Sequence, residues 1–321
     1  MISSRWLSDL SLPVIVAPMF LVSNPRMVIE SCLAGLVGTF PLLNARTTVQ
    51  LDQWMTSIAQ ELTAFRDSHP EQKIGPWGVN LIVHRSNKRW MEDTTLIRKH
   101  QPPIVITSLG NPASVVEFVH DYGGIVLSDV STITHARKAA DCGVDGLILV
   151  CNGAGGHGGT IHPYAFVAEV KRWWKGITIL AGCISNGQHI RASIAIGADA
   201  VYMGTRFIAT VESGANDAYR QMLIESTLDD IIYTDAVSGV KANYLKSSLE
   251  NAGISLSLSD PHRHAGMVNL DTKAKAWKDI WSAGQGVGDV DRVLPLSELV
   301  NQLKQEFRQS AGFTERWNTL G

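Results

Sequence analysis

Short runs of apolar, often β-branched residues recur along the chain, each bounded by Gly, Pro, Ser or Asn and each followed by a longer stretch of helical periodicity. The spacing predicts eight strands, at Val14 to Met19, Leu36 to Phe40, Trp77 to Val83, Ile104 to Leu109, Ile125 to Asp129, Val144 to Val150, Ile177 to Cys183 and Ala200 to Gly204. Between them, Asn24 to Ala34, Thr47 to Ser68, Ser114 to Tyr122, Thr132 to Cys142, Pro163 to Trp174 and Gly187 to Ile196 carry the pattern of amphipathic helices. Several of these open on a capping residue or a first-turn Pro and stop at a glycine, at Gly35, Gly123, Gly143, Gly176 and Gly197. Near-continuous apolar strands joined by helical crossovers mean a parallel sheet buried on both faces. Eight such units close most economically into an α/β barrel of the (β/α)8, or TIM, type, with an open doubly wound sheet as the alternative.

The chain continues well past the eighth strand. Asp217 to Ser226 reads as a final helix, 227–286 as an insertion or lid, and Pro295 to Gln309 as a closing helix, all within one domain spanning 1–321. Composition supports a single large core, since 45% of the 321 residues are apolar and only 18% are charged. The formal net charge is -2 with both signs scattered, so no basic field exists to hold nucleic acid or an anionic membrane. Cys32, Cys142, Cys151 and Cys183 lie far apart and form no CxxC pair, which fits reduced thiols in a cytoplasm better than a disulfide framework or a zinc knuckle. The apolar stretch before Met19 is too short to span a bilayer and is broken by Pro13 and Pro18.

One segment concentrates the chemistry. CNGAGGHGG, Cys151 to Gly159, places five glycines and one histidine directly behind the sixth predicted strand. Gly153, Gly155 and Gly158 satisfy G-x-G-x-x-G, but a dinucleotide fingerprint also needs a helix opening at the glycines and an acid at the end of the next strand. Here the helix waits until about Pro163, and the next strand ends in Ala181-Gly182-Cys183. The remaining reasons for such a loop are close approach by a flat ligand, toward which His157 projects, or a tight turn whose histidine hydrogen-bonds a carbonyl. LAGCISNG, Leu180 to Gly187, and YMGTRF, Tyr202 to Phe207, leave the last two strands with small residues. In barrels the loops at these two places commonly hold a phosphate on backbone N–H groups and a helix N-terminus. Together the three loops suggest a phosphate-bearing cofactor whose rings extend toward His157.

At these residues the sequence resembles the nitronate monooxygenase family, formerly called 2-nitropropane dioxygenases, which use FMN bound in a TIM barrel. The resemblance rests on APM after strand one, GVN in strand three, A-G-G-H-x-G after strand six, LAGCISNG after seven, MGTRFIATVES after eight and the late SAGQGVG. It implies that Ala17, Pro18 and Met19 lie along the flavin ring and that Asn80 hydrogen-bonds it. Gly155, Gly156 and Gly158 would approach the ring and ribityl region, and Gly182, Gly187, Gly204 and Thr205 would hold the phosphate. His157 matches the catalytic histidine, and Ser282, Gly284 and Gln285 would approach the flavin from the tail. Two positions depart from the family pattern. Many members carry an acid where this chain has Gly153, and the usual GG after strand seven is Gly182-Cys183.

The implied reaction is oxidation of a nitroalkane or its nitronate with O2 to a carbonyl compound and nitrite, without a metal. A histidine suits it because its unperturbed pKa lies near operating pH. Two other readings share the loops: an FMN-dependent NAD(P)H reductase acting on a quinone or an enoyl thioester, and a flavin-free barrel that grips a phosphate sugar. Tyr233, Tyr244, His262, His264 and Met267 are candidates to roof the site. His262 and His264 have no clustered carboxylate or cysteine to complete a metal site.

Overall fold

The computed structural model describes residues 5–237, 239–254 and 280–311. Its centre is a closed barrel of eight parallel strands in sequence order. These are β1 (Val14–Val16), β2 (Val37–Pro41), β3 (Trp77–Ile82), β4 (Ile104–Ser108), β5 (Ile125–Val130), β6 (Gly146–Val150), β7 (Ile177–Ala181) and β8 (Ala200–Met203). Pairing of β1 with β8, in register Ile15 with Tyr202, closes the ring and excludes the open doubly wound sheet. The ring of helices begins with α1 (Arg5–Ser8), α2 (Pro25–Leu33), α3 (Thr48–Ser68), α4 (Trp90–His100), α5 (Ala113–Asp121) and α6 (Ile133–Asp141). It continues with α7 (Pro163–Lys171), α8 (Gly187–Ala195), the short α9 (Thr205–Ile208) and α10 (Asp217–Glu225).

Local chemistry sets the boundaries. Asn24, Thr47, Thr132, Asn186 and Asn216 each accept a hydrogen bond from the N–H three residues on, so each helix start is satisfied by its own cap. Gly35, Gly123, Gly143 and Gly197 take positive φ just after a helix, as their positions predict. Gly176 does not. Its φ is ordinary, and glycine is needed there because a Cβ would meet the Trp174 ring and, at 2.9 Å, the carbonyl oxygen of Asp145. The periodicity reading omits α4, whose last turn ends at Gln101 in the left-handed region (φ 48°) rather than at a glycine.

Strand alternation divides the core in two. Outward residues such as Val79, Val105, Val126, Leu147 and Val201 pack under the helices. Inward residues including Ile15, Ile104, Ile106, Leu127, Ile148 and Ile179 fill the lumen, and Trp6, Leu7 and Leu10 pack against them where the chain enters β1. Ile148 is wholly buried, and its truncation to Ala would cost about 2–5 kcal/mol.

After β8 the chain departs from a plain barrel. α10 is not the eighth helix of the ring. That place belongs to α12 (Leu296–Gln309), which packs between α8 and α2. Arg191 donates to the Phe307 carbonyl at 2.9 Å, and Lys304 reaches the Ala34 carbonyl at 3.3 Å. The residues between include an antiparallel hairpin of β9 (Ile231–Thr234) and β10 (Ala242–Leu245), then α11 (Lys246–Asn251). The segment 227–286 thus carries regular structure of its own.

Candidate active site

At the C-terminal ends of the strands the lumen turns polar. Asn80 of β3, Ser108 of β4 and Asp129 of β5 continue the inward alternation above Ile106 and Leu127. Asn80 Nδ2 donates to Ser108 Oγ at 2.6 Å and to the Ile106 carbonyl at 3.4 Å. Ser108 Oγ donates to Asp129 Oδ2 at 2.5 Å. Asp129 Oδ1 is buried and makes no hydrogen bond. Burial raises the Asp129 carboxyl to about 6, and its hydrogen bond from Ser108 only partly opposes this. Tyr202 of β8 shares the lumen, and burial, with the Asp129 charge added, pushes its phenol well above the ordinary value.

The glycine loop follows β6, the strand that pairs with β5. Gly153 (φ 81°) and Gly156 (φ 69°) occupy the left-handed region. The other glycines answer to packing. A Cβ on Gly155 would lie 2.9 Å from the Gly284 nitrogen, and one on Gly158 would lie 3.0 Å from the Ala154 carbonyl oxygen. Much of the bareness of this loop therefore lets the tail segment lie on it. The Gln285 N–H donates to the Gly153 carbonyl at 2.9 Å, and the Gly284 N–H donates to Thr205 Oγ1 at 2.8 Å. The tail thus bridges the loop after β6 to the loop after β8.

His157 is exposed, and the hairpin holds the loop on both sides of it. The Asn243 N–H donates to the Gly156 carbonyl at 2.9 Å, and Asn243 Nδ2 donates to the Ala154 carbonyl at 2.7 Å. Tyr233 Oη donates to the Gly158 carbonyl at 3.1 Å. Tyr244 is fully buried and packs with Ala242 and Leu249 in the hairpin's own core rather than roofing the mouth. His262, His264 and Met267 lie outside the described residues. Among the described residues no group of three or more His, Cys, Asp or Glu side chains is arranged to hold a metal.

The loops after β1, β7 and β8 complete the rim. Ala17 donates its N–H to the Met203 carbonyl at 2.9 Å. Met19 is fixed by its N–H to Ser23 Oγ at 2.9 Å and by Asn44 Nδ2 on its carbonyl at 2.9 Å. Gly204 stands beside both, since a Cβ there would lie 3.4 Å from Met19 Sδ and 3.6 Å from Ala17 Cβ. Gly182 (φ 120°) and Cys183 (φ 56°) form a left-handed pair. The Cys183 thiol is exposed, and desolvation followed by the nearby Asp289 charge raises its pKa, so nothing here activates it.

Gly187 is engaged elsewhere. Its N–H donates to Glu306 Oε2 at 2.8 Å, and a Cβ would collide with the backbone of α12, so it serves helix packing instead of a phosphate. Tyr219 Oη donates to the Ser282 carbonyl at 2.5 Å, while the Ser282 hydroxyl is buried without a hydrogen bond. The structure therefore brings Ala17, Pro18, Met19, Gly155, Gly156, His157, Gly158, Gly182, Gly204, Thr205, Ser282, Gly284 and Gln285 to one end of the barrel around the lumen that Asn80 lines.

Three features of this end of the barrel escape the sequence motifs. Asn243 belongs to a hairpin whose only turn signal is the Ser238-Gly239 dipeptide. Asp129 is readable only as a charge at an inward position of an apolar strand. Arg206 follows Thr205, is 1% exposed, and has Nη1 and Nη2 without hydrogen-bond partners. Its nearest carboxylate, Asp291 Oδ1, is 3.7 Å away, and burial lowers its pKa. Unspent buried donors of this kind favour an anion nearby.

The family model for nitronate monooxygenase matches residues 6–306. A nitronate monooxygenase of Paraburkholderia phytofirmans is 27% identical over 93% of each chain. A (3aS,4S,5R,7aS)-5-hydroxy-7a-methyl-1-oxo-octahydro-1H-indene-4-carboxyl-CoA dehydrogenase of Mycobacterium tuberculosis is 26% identical over 74% of this chain and 64% of that one. Among solved structures, FabK from Thermotoga maritima superposes with a TM-score of 0.80 at 22% identity, covering 99% of this chain and 100% of that one. Nitroalkane oxidase from Streptomyces ansochromogenes gives 0.78 at 23% identity, covering 96% and 99%. At these identities the two structures show the shared barrel fold. With the family match running almost end to end and the motif loops gathered at one barrel mouth, the chain belongs to the nitronate monooxygenase family and is an oxidoreductase.

Proposed function

We propose that this protein is an FMN-dependent enzyme that oxidises nitronates or nitroalkanes with O2 to carbonyl compounds and nitrite. The observation that carries the reading is His157, held at the barrel mouth on a loop that the hairpin pins at Gly156 and Gly158. The residues present fit a flavin. Gly156 has open space where a Cβ would stand, and Gly204 leaves a bare wall beside Met19 and Ala17. Asp129 Oδ1 is buried in the lumen without a hydrogen bond, and after β8 Arg206 Nη1 and Nη2 are buried with no hydrogen bond, Nη2 having only the 3.7 Å ion pair to Asp291. Ala17, Pro18, Met19, Gly155, Gly156 and Gly158 would flank the ring, Asn80 would hydrogen-bond it, and Gly182, Gly204 and Thr205 would hold the phosphate. Ser282, Gly284 and Gln285 would cover it from the tail.

When bound, the flavin supplies the electron acceptor and the reactivity toward O2. The chain supplies the rest. His157 accepts the acidic proton of a nitroalkane at an imidazole nitrogen, or donates a hydrogen bond to the nitro oxygens of a nitronate that arrives already deprotonated. The hairpin and tail orient the loop that carries it. The hairpin of β9 and β10 acts as the lid, limiting water at the mouth. His157→Asn should retain FMN and lose nitroalkane turnover by about 10²-fold or more, measured as O2 consumption and nitrite release. Unchanged turnover removes His157 from the reaction.

A second reading is an FMN enzyme that uses NAD(P)H to reduce an enoyl thioester or a quinone, and the carboxyl-CoA dehydrogenase relative supports the thioester substrate in it. Anaerobic mixing separates the two. Bleaching of the bound flavin by NADH, with no response to a nitronate, favours the reductase.

A further inference from the structure

The polar chain at the mouth of β3, β4 and β5 includes a group that the reaction above does not use. Both N–H bonds of the Asn80 amide are engaged, by Ser108 Oγ and the Ile106 carbonyl, which leaves Asn80 Oδ1 as the atom offered to a ligand. That orientation is set by Ser108, whose hydroxyl hydrogen is committed to Asp129 Oδ2 and whose oxygen must therefore accept from Asn80. Asp129 then has a second oxygen, buried and unpartnered, in a lumen whose neighbouring inward residues are Leu127 below it and Ile148 and Val150 on β6. A neutral acceptor would suffice to hold Ser108. A carboxylate in this place also adds a negative charge, in surroundings where charge acts strongly.

We propose that Asp129 is a positioning and charge-setting residue of the barrel mouth. Through Ser108 it fixes Asn80 with its carbonyl oxygen free for the ligand, and its unpaired oxygen makes this wall accept hydrogen bonds and repel anions. The wall selects a neutral planar heterocycle with N–H or O–H donors over the same ring carrying negative charge. For FMN, whose oxidised ring is neutral and whose reduced ring ionises readily, Asp129 holds the oxidised form in preference to the reduced one. The choice of FMN rests on the reading under Proposed function.

The test measures the midpoint potential of bound FMN against a reference dye, and the Kd of oxidised FMN by fluorescence titration, in the full-length protein. Asp129→Asn keeps the shape and a partner for Ser108 while removing the charge. It should tighten reduced relative to oxidised FMN by about tenfold, a rise of about 30 mV for the two-electron couple. Asp129→Ser, a second neutral variant, should repeat the rise. Ser108→Ala keeps the charge and releases Asn80, so it should weaken oxidised FMN by about tenfold, the loss of one hydrogen bond of about 1.4 kcal/mol, with a smaller change in potential. A role in folding alone would lower stability and leave the potential where it was. FMN bound by all variants at the wild-type potential overturns this proposal and leaves the cofactor reading standing. A wild-type protein that takes up no FMN overturns both.

Discussion

The two sides of the barrel mouth are built on opposite plans. On the β6 side the loop from Cys151 to Gly159 has given up side chains, and its backbone is gripped by Asn243, Tyr233 and the tail at Gln285. On the β3 to β5 side the backbone is spent on strand ladders, and the chemistry sits in three side chains hydrogen-bonded in series. The first side is held from outside by segments distant in sequence. The second is held by the barrel itself. A glycine-rich loop therefore signals two needs at once, room for a ligand and room for the cover, and only the contacts at each glycine tell them apart.

The largest expected effect breaks that comparison on the glycine side. Gly284→Ala puts a Cβ 2.6 Å from the Gly153 carbonyl oxygen and 3.0 Å from the Gly155 nitrogen, both backbone atoms that cannot swing aside. Urea denaturation should show a loss of about 2–3 kcal/mol. Gly156→Ala meets no atom within 4 Å and is strained only by its φ of 69°, so it should lose only about 1 kcal/mol. Equal losses at the two positions would mean that packing of the tail does not explain the loop.

On the strand side the expected sign is reversed. The folded-state pKa of Asp129, about 6, lies above its ordinary 3.8, so the fold favours the protonated form. Its contribution is fully present below about pH 4 and is lost as pH rises through 6. Asp129→Asn, which has no charge to bury, should therefore unfold at the same denaturant midpoint as wild type near pH 4. At pH 8 it should be more stable by about 1–2 kcal/mol, a value reduced for water reaching the lumen. A variant destabilised at pH 8 would show that the ionised carboxylate stabilises the fold.

The smallest effect sharpens the role of the hairpin. Tyr233→Phe removes one exposed hydrogen bond to the Gly158 carbonyl and should cost about 0.5 kcal/mol or less in stability. By loosening the loop beside His157 it should still lower kcat more than it raises KM. A change confined to KM would place Tyr233 in substrate binding.

Much of this organisation is legible in the sequence because its causes are local. The eight strands, the capped helices between them and the small-residue exits after β6, β7 and β8 each have a signal within a few residues. What escapes has causes at long range. Gly187 looks like part of a phosphate loop until Glu306 and the backbone of α12, more than a hundred residues later, are seen against it. Pro295 to Gln309 reads as a closing helix from its own pattern, but that it packs between α8 and α2, with Asp217 to Ser226 left outside the ring, is set by contacts far along the chain. Asn243 carries no motif because its partners, Ala154 and Gly156, lie on another segment. Asp129 is the instructive intermediate case, since the alternation of Ile125, Leu127 and Asp129 already puts a carboxylate in an apolar lumen.

The central claim is that both sides of this mouth enclose a flavin. Titration of the purified protein with FMN, followed by denaturation and recovery of the bound pigment, tests it directly. The account predicts a yellow protein that releases FMN in a ratio of about one per chain, and a Gly284→Ala protein that binds it more weakly. A colourless protein whose spectrum and unfolding midpoint are unmoved by excess FMN would contradict it.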